Sequence, residues 1–307
     1  MPDNTIKTVL QKSIDRRRFM RRSGLGLTGL ATAVSGAFLS AKPARAQALT
    51  DADIFNFALN FEYLGSQYYL AALGTSLPAS LTGTGAGAVI LPTPTAVPFQ
   101  NKAVAYFAQQ LAVDELAHVT VIREALAAEG ATPIPQPVIN LNTSWTSLAA
   151  AAGLITPGQT FNPFASETDF LLGAYVLEDV CVTALCGAAP LISSKVNLAY
   201  AASILGVEGY QVGLIRSRLS AIGADVATDA ISALRSSLSN TVVNMGVNDV
   251  GTNAYGNPFN FTNADSNAQA FRRTPQEVLA IAYGGAPAGG GFFPNGVNGA
   301  ITTTASA

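Results

Sequence analysis

Apolar residues recur at intervals of three and four along four long stretches of the chain, roughly 51–73, 99–129, 167–189 and 195–222, a period that predicts four amphipathic helices. Thr50 stands where an N-cap belongs, and Asp51 and Asp53 suit the positive end of the helix dipole. Gly74 and Pro78 mark the end of this first helix. A Gly/Thr/Pro-rich loop over 75–98 leads to the second helix, which Gly130 and the prolines between 133 and 137 stop. Ser166 caps the third helix and Pro190 ends it; the fourth ends near Gly223. The stretch 131–165 carries several Pro and Gly and no comparable helical period. It is longer than ordinary loops of compact domains, so a topological role is expected of it. Two helices, a long connection and two more helices is the order of an all-α four-helix bundle with one long crossover. The expected organisation is a bundle over 47–223 and a C-terminal extension over 224–307. Within the extension a weaker helix is expected over 229–239, followed by a polar Asn/Gly-rich stretch. Thr274-Pro275-Gln276-Glu277 has capping-box spacing with Pro at the first helical position, predicting a short helix to about Tyr283. A Gly-rich tail over 284–307 either lies over the bundle or moves.

Composition adds a large core to this picture. Apolar residues make up 49% of the 307 and charged residues 12%, which excludes general disorder. Nine of the 17 Lys and Arg precede Gln47, against two of the 19 Asp and Glu; the remainder therefore carries 8 − 17 = −9. That balance makes the chain a poor candidate for nucleic acid or an anionic membrane surface. Cys181 and Cys186 lie five apart in a predicted helix, too far to bridge, and are read as free buried thiols. The Gly-rich segments lack a strand-to-helix phosphate-loop context, so no nucleotide site is expected.

The first 46 residues read as an address. Arg16-Arg17-Arg18-Phe19-Met20-Arg21 resembles the twin-arginine export motif. A weakly apolar run from Gly24 to Leu39 and the small-x-small pattern Ala44-Arg45-Ala46 follow it. The run is shorter than the roughly 20 apolar residues a spanning helix needs, and an N-terminal membrane anchor is the alternative reading. The resemblance implies use of the twin-arginine export machinery, a periplasmic or otherwise exported location, and a cofactor loaded before export. No later segment is expected to be long and apolar enough to suggest a membrane span.

The chemistry sits in the middle of the four apolar stripes. Glu62 shares its helix face with Phe55, Leu59 and Tyr69; Glu115 with Leu111, Ala112, Val119 and Ile122; Glu178 with Leu171, Ala174, Tyr175 and Cys181; Glu208 with Ala201, Ile204, Val212 and Ile215. A buried, unpaired carboxylate costs several kcal/mol even after relaxation. The basic residues of these helices (Lys102, Arg123, Lys195, Arg216 and Arg218) do not share the glutamate faces. Two divalent cations would neutralise four carboxylates, and oxygen-rich ligation suits iron or manganese. His118, the one histidine, stands three residues after Glu115 and turns toward the same point. A metal-free polar core is the alternative. Tyr69, Tyr175 and Cys181 read first as packing residues; the alternatives are a hydrogen bond to a carboxylate or redox chemistry for the tyrosines, and a soft ligand or an oxidation target for Cys181.

Glu62, Glu115-x-x-His118, Glu178 and Glu208-x-x-Gln211 resemble the ferritin-like di-iron carboxylate pattern, one Glu from each of two helices plus Glu-x-x-His from each of the other two. Ile204-Leu205-Gly206-Val207-Glu208-Gly209-Tyr210-Gln211, Phe271-Arg272-Arg273-Thr274-Pro275 and Gly290-Gly291-Phe292-Phe293-Pro294-Asn295-Gly296 are similar to exported bacterial ferritin-like proteins related to plant desiccation-related proteins. The resemblance implies a ferritin-like bundle and a metal set of Glu62, Glu115, His118, Glu178, Glu208 and Gln211. It implies one or two iron or manganese ions and ferroxidase or peroxide chemistry. Gln211 departs from the pattern, which has His there; an amide oxygen ligates more weakly, so one position is weak, open or lost. The alternative function is a non-catalytic, stress- or desiccation-associated structural protein with a degenerate site.

Overall fold

A computed structural model describes residues 49–242, 248–253 and 260–305. The N-terminal address, residues 1–46, lies outside the described residues. Helix α1 (Asp51–Ala72) opens on the expected capping box, in which Thr50 and Asp53 each accept from the other's backbone N–H. A four-residue turn of helix, α2 (Ala79–Thr82), and a two-residue strand, β1 (Val89–Ile90), interrupt the following loop. Helix α3 (Lys102–Ala128) starts three residues later than expected because Asn101, not a residue before Phe99, caps it by accepting from Ala103 N–H.

The crossover differs from expectation. It contains β2 (Ile139–Asn140), which pairs in parallel with β1, and a nine-residue helix, α4 (Thr143–Ala151). Its sequence, TSWTSLAAA, has weak helix formers in its first turns and no side-chain cap. Burial of Trp145 anchors it: the indole stacks edge-on against Phe292 at 4.7 Å and lies 5.4 Å from Tyr68. Helix α5 (Glu167–Ala188) begins at the Ser166 cap and runs into a single 3-10 turn, Ala189–Leu191. Helix α6 (Lys195–Ala221) begins at Ser194.

Each long helix packs chiefly on its sequence neighbour, α1 on α3 and α5 on α6, and the two pairs meet through α1 with α5 and α3 with α6. This is the expected all-α four-helix bundle with a long crossover between the pairs. By length and composition α5 with its 3-10 turn and α6 are both apolar enough to cross a membrane, contrary to the sequence expectation. Most of that stretch of α5 is buried inside the bundle, and it carries Glu178 and Asp179. Its apolar length serves the core.

Among its described residues the extension holds more helix than its polar sequence suggests. Helix α7 spans Asp225–Asn240, longer than 229–239, and α8 spans Pro275–Ala282 behind the expected Thr274–Glu277 capping box. Both pack on α5. Three fully buried arginines bind them there. Arg216 of α6 and Arg235 of α7 both reach Asp179 Oδ2, at 2.8 and 2.7 Å. Arg235 and Arg273 both reach Asp249 Oδ2, at 3.0 and 2.6 Å. Gly187 permits the close approach of this segment, since a Cβ there would lie 1.8 Å from the Arg273 carbonyl oxygen. Of the tail's two expected alternatives, the described part lies on the bundle. Phe293 is buried against Phe61, and Asn60 and Asn298 exchange two 2.9 Å hydrogen bonds.

Candidate metal centre

The four long helices bring their glutamates together. Glu62, Glu115, Glu178 and Glu208 are at most 5% exposed, each framed by the buried apolar residues of its own stripe. His118 Nδ1 lies 3.1 Å from Glu208 Oε1, 3.4 Å from Glu62 Oε2 and 3.5 Å from Glu115 Oε1. One donor atom from each of Glu62, Glu115, His118 and Glu208 falls within 4.8 Å of the others. Glu178, Cys181 and Glu208 form a second such group, so Glu208 belongs to both. Gln211 is buried as well; its Nε2 donates to Asp114 Oδ2 at 3.2 Å, and its Oε1 has no partner.

The hydrogen bonding of this cluster is incomplete. Glu62 Oε2, Glu115 Oε1, Glu178 Oε2, both oxygens of Glu208 and His118 Nδ1 are buried without a hydrogen-bond partner. A buried carboxylate without a partner costs the fold dearly. The three buried arginines do not relieve it, because Arg216, Arg235 and Arg273 are held by Asp179 and Asp249. These five residues were hidden in the sequence. The one available signal was Asp179 itself, a second acid directly after Glu178 in an apolar helix. Among the described residues no Lys or Arg is paired with the four glutamates. Oxygen donors with one imidazole, converging and unsatisfied, fit a hard or borderline divalent cation.

The electrostatics agree. Burial raises the Glu115 carboxyl well above its usual range, and Glu178 beside it adds to the rise. Burial and Glu208 raise Glu178 likewise. Burial and Glu115 raise Glu208 to about 7. Burial alone would lower His118, but Glu115, Glu208 and Glu62 around it carry it well above the usual histidine range. Tyr69, read first as packing, donates its phenol proton to Glu178 Oε1. Burial and the charge of Glu178 hold that phenol protonated. Tyr175 turns away from the glutamates and bonds Ser232 at 2.6 Å beneath Arg235. Both cysteines are free and only half-buried, a correction to full burial.

A pH dependence follows. Free carboxyls titrate near 4.5, so the metal-free fold holds an extra proton on Glu208 between 4.5 and about 7, and Glu115 and Glu178, raised by burial and by their carboxylate neighbours, act in the same direction. Their stabilisation, complete below 4.5, is lost as pH rises through the folded values; His118, also raised, has the same sign. Asp51, drawn to about 2 against burial by the Ser193 backbone and Asn197, acts only at much lower pH. The melting temperature of metal-free protein is expected to fall between about pH 5 and about pH 8. A flat or rising profile would contradict these burials. Gly65 offers a second check. A Cβ there would meet Glu115 Oε2 at 2.5 Å, so Gly65→Ala must displace that carboxylate. Calorimetric titration is expected to show metal affinity lowered by about tenfold or more.

The sequence profile of the ferritin-like domain family matches residues 50–221. The desiccation-related protein PCC13-62 of Craterostigma plantagineum is 29% identical to the chain over 274 residues, covering 81% of this chain and 83% of that protein. The ferritin-like catalase Nec2 of Nesocodon mauritianus is 27% identical over 277 residues, covering 82% and 84%. No solved structure gives a significant match.

Proposed function

Since this chain belongs to the ferritin-like domain family, we propose that it binds one or two iron or manganese ions at Glu62, Glu115, His118, Glu178 and Glu208 and dismutates hydrogen peroxide. One observation carries the reading: four buried carboxylates and one imidazole converge, each with at least one donor atom that lacks a hydrogen-bond partner. Support for peroxide as substrate comes from the relative named a ferritin-like catalase. Dismutation needs no outside reductant, because two peroxides give two waters and one dioxygen. Bound iron or manganese supplies reversible electron transfer and an open coordination position.

The chain's own residues prepare that position. Glu208 is shared between the two groups, and both its oxygens are free to ligate. Tyr69 holds one oxygen of Glu178 and leaves Oε2 available. An apolar cavity lined by Ile54, Phe57, Phe61, Val180 and Val278 reaches Glu62 and Cys181. Such walls exclude bulk water while admitting a small neutral molecule. Protein loaded with iron or manganese is expected to release dioxygen from hydrogen peroxide, as followed with an oxygen electrode, and Glu208→Ala to abolish the release. Metal-bound wild-type protein that releases none would remove the catalase reading and leave metal handling.

A second reading is a non-catalytic protein of drying or stress. Gln211 in place of His, its amide on Asp114, and the relative named desiccation-related support it. Export by the twin-arginine route is proposed from Arg16-Arg17-Arg18-Phe19-Met20-Arg21, the apolar run from Gly24 to Leu39 and Ala44-Arg45-Ala46 behind it. Replacing Arg16 and Arg17 by Lys should retain the protein in the cytoplasmic fraction. Unchanged fractionation would rule the route out.

A further inference from the structure

Glu178-x-x-Cys181 on α5 repeats the spacing of Glu115-x-x-His118 on α3. Residues three apart on a helix turn toward one point. The structure realises this on both helices. His118 closes one group of donors, and Cys181 Sγ falls within 4.8 Å of donor atoms of Glu178 and Glu208 in the other. Those two carboxylates are 1% and 0% exposed, and Glu178 Oε2 and both oxygens of Glu208 lack hydrogen-bond partners. The second group therefore has acceptors in need of a cation and a sulfur among them. The residue that the ferritin-like pattern would offer here as a nitrogen ligand is Gln211, and its amide nitrogen is engaged by Asp114. Cys186, five residues beyond Cys181, joins no such group among the described residues.

We propose that Cys181 is the ligand of the second metal position, so that Glu178, Cys181 and Glu208 hold a thiophilic borderline divalent ion (zinc, cobalt or ferrous iron) through one sulfur and two carboxylates. This rests on the reading of the cluster as a metal centre. As the metal–sulfur bond forms, the thiol gives up its proton to solvent and no electrons change hands. Soft sulfur donors select zinc and iron over the purely hard ions, whereas the oxygen and imidazole donors around His118 do not discriminate in this way. The two positions thus differ in chemistry, one O/N and one O/S. The missing histidine on α6 is replaced from α5, not simply lost.

Cobalt(II) titration of the metal-free protein, followed by absorption, tests the assignment. Wild-type protein and Cys186→Ser are expected to develop an intense near-ultraviolet thiolate-to-cobalt band. Cys181→Ser, nearly isosteric, is expected to lack it and to lose one of two bound ions. Zinc-edge X-ray absorption of the zinc-loaded Cys186→Ser protein should show a sulfur neighbour at about 2.3 Å, a readout that does not depend on the Cys181 variant folding. Cobalt and zinc bound without the band and without a sulfur neighbour would overturn the sulfur ligand while leaving a metal centre. No bound cobalt in the wild type would overturn both.

Discussion

Asp249→Ala is expected to cost the fold about 3–5 kcal/mol, because it leaves a buried positive charge without its partner. Asp249 Oδ2 accepts from Arg273 at 2.6 Å and pairs with Arg235 at 3.0 Å, and its Oδ1 accepts from Asn263 at 2.8 Å. Burial alone would raise this carboxyl, but Arg235 and Arg273 draw it below its usual range. Without it Arg273 keeps only neutral partners, the oxygens of Ser239 and Thr183 at 2.8 Å each. Arg235 keeps Asp179. The segment carrying Arg273 joins α7 and α8 to α5, so the loss should fall on the extension first. Urea unfolding should show a lowered midpoint, and limited proteolysis an early cut after α6. A loss below about 1 kcal/mol would mean that the pair is effectively solvated, as surface pairs are.

Glu115→Gln is expected to act in the opposite direction on stability while removing metal. The amide keeps the volume and removes a charge that burial and Glu178 already oppose. The metal-free variant should therefore melt no lower than the parent at pH 8, and higher if the glutamate ionises there. Metal affinity should fall by at least about 100-fold, since losing even a group that only hydrogen-bonds a metal ligand costs about 10–100-fold. Melting with and without iron(II) or manganese(II) reads both effects. The parent is expected to gain melting temperature on metal addition and the variant to gain almost none. A variant that melts lower in both conditions, with metal binding intact, would make Glu115 a structural residue.

These two sites differ in how openly the sequence announces them. Glu62, Glu115, Glu178 and Glu208 were readable because a carboxylate on an apolar stripe violates a local periodicity, and helix spacing alone places it inside. The caps Thr50, Ser166 and Thr274 were readable for the same reason, since each acts within three residues. The arginine cluster was not. Arg235 meets Asp179 across 56 positions and Arg273 meets Thr183 across 90, so only tertiary packing makes buried partners of them. Helix α4 escaped notice because Trp145 is held by Phe292, far along the chain, and its own sequence favours helix weakly. Cys181 lies between the two cases. Its spacing from Glu178 was local, but its weight as a candidate ligand came only with Glu208 brought across from α6.

Metal counting on protein purified after iron supplementation tests the central claim most directly. Plasma emission analysis against protein mass is expected to find between about one and about two iron or manganese ions per chain, falling toward zero in Glu115→Gln. Wild-type chains that are folded, monodisperse and free of metal, and that take up none on titration, would contradict a metal centre and leave the buried glutamates as protonated core residues.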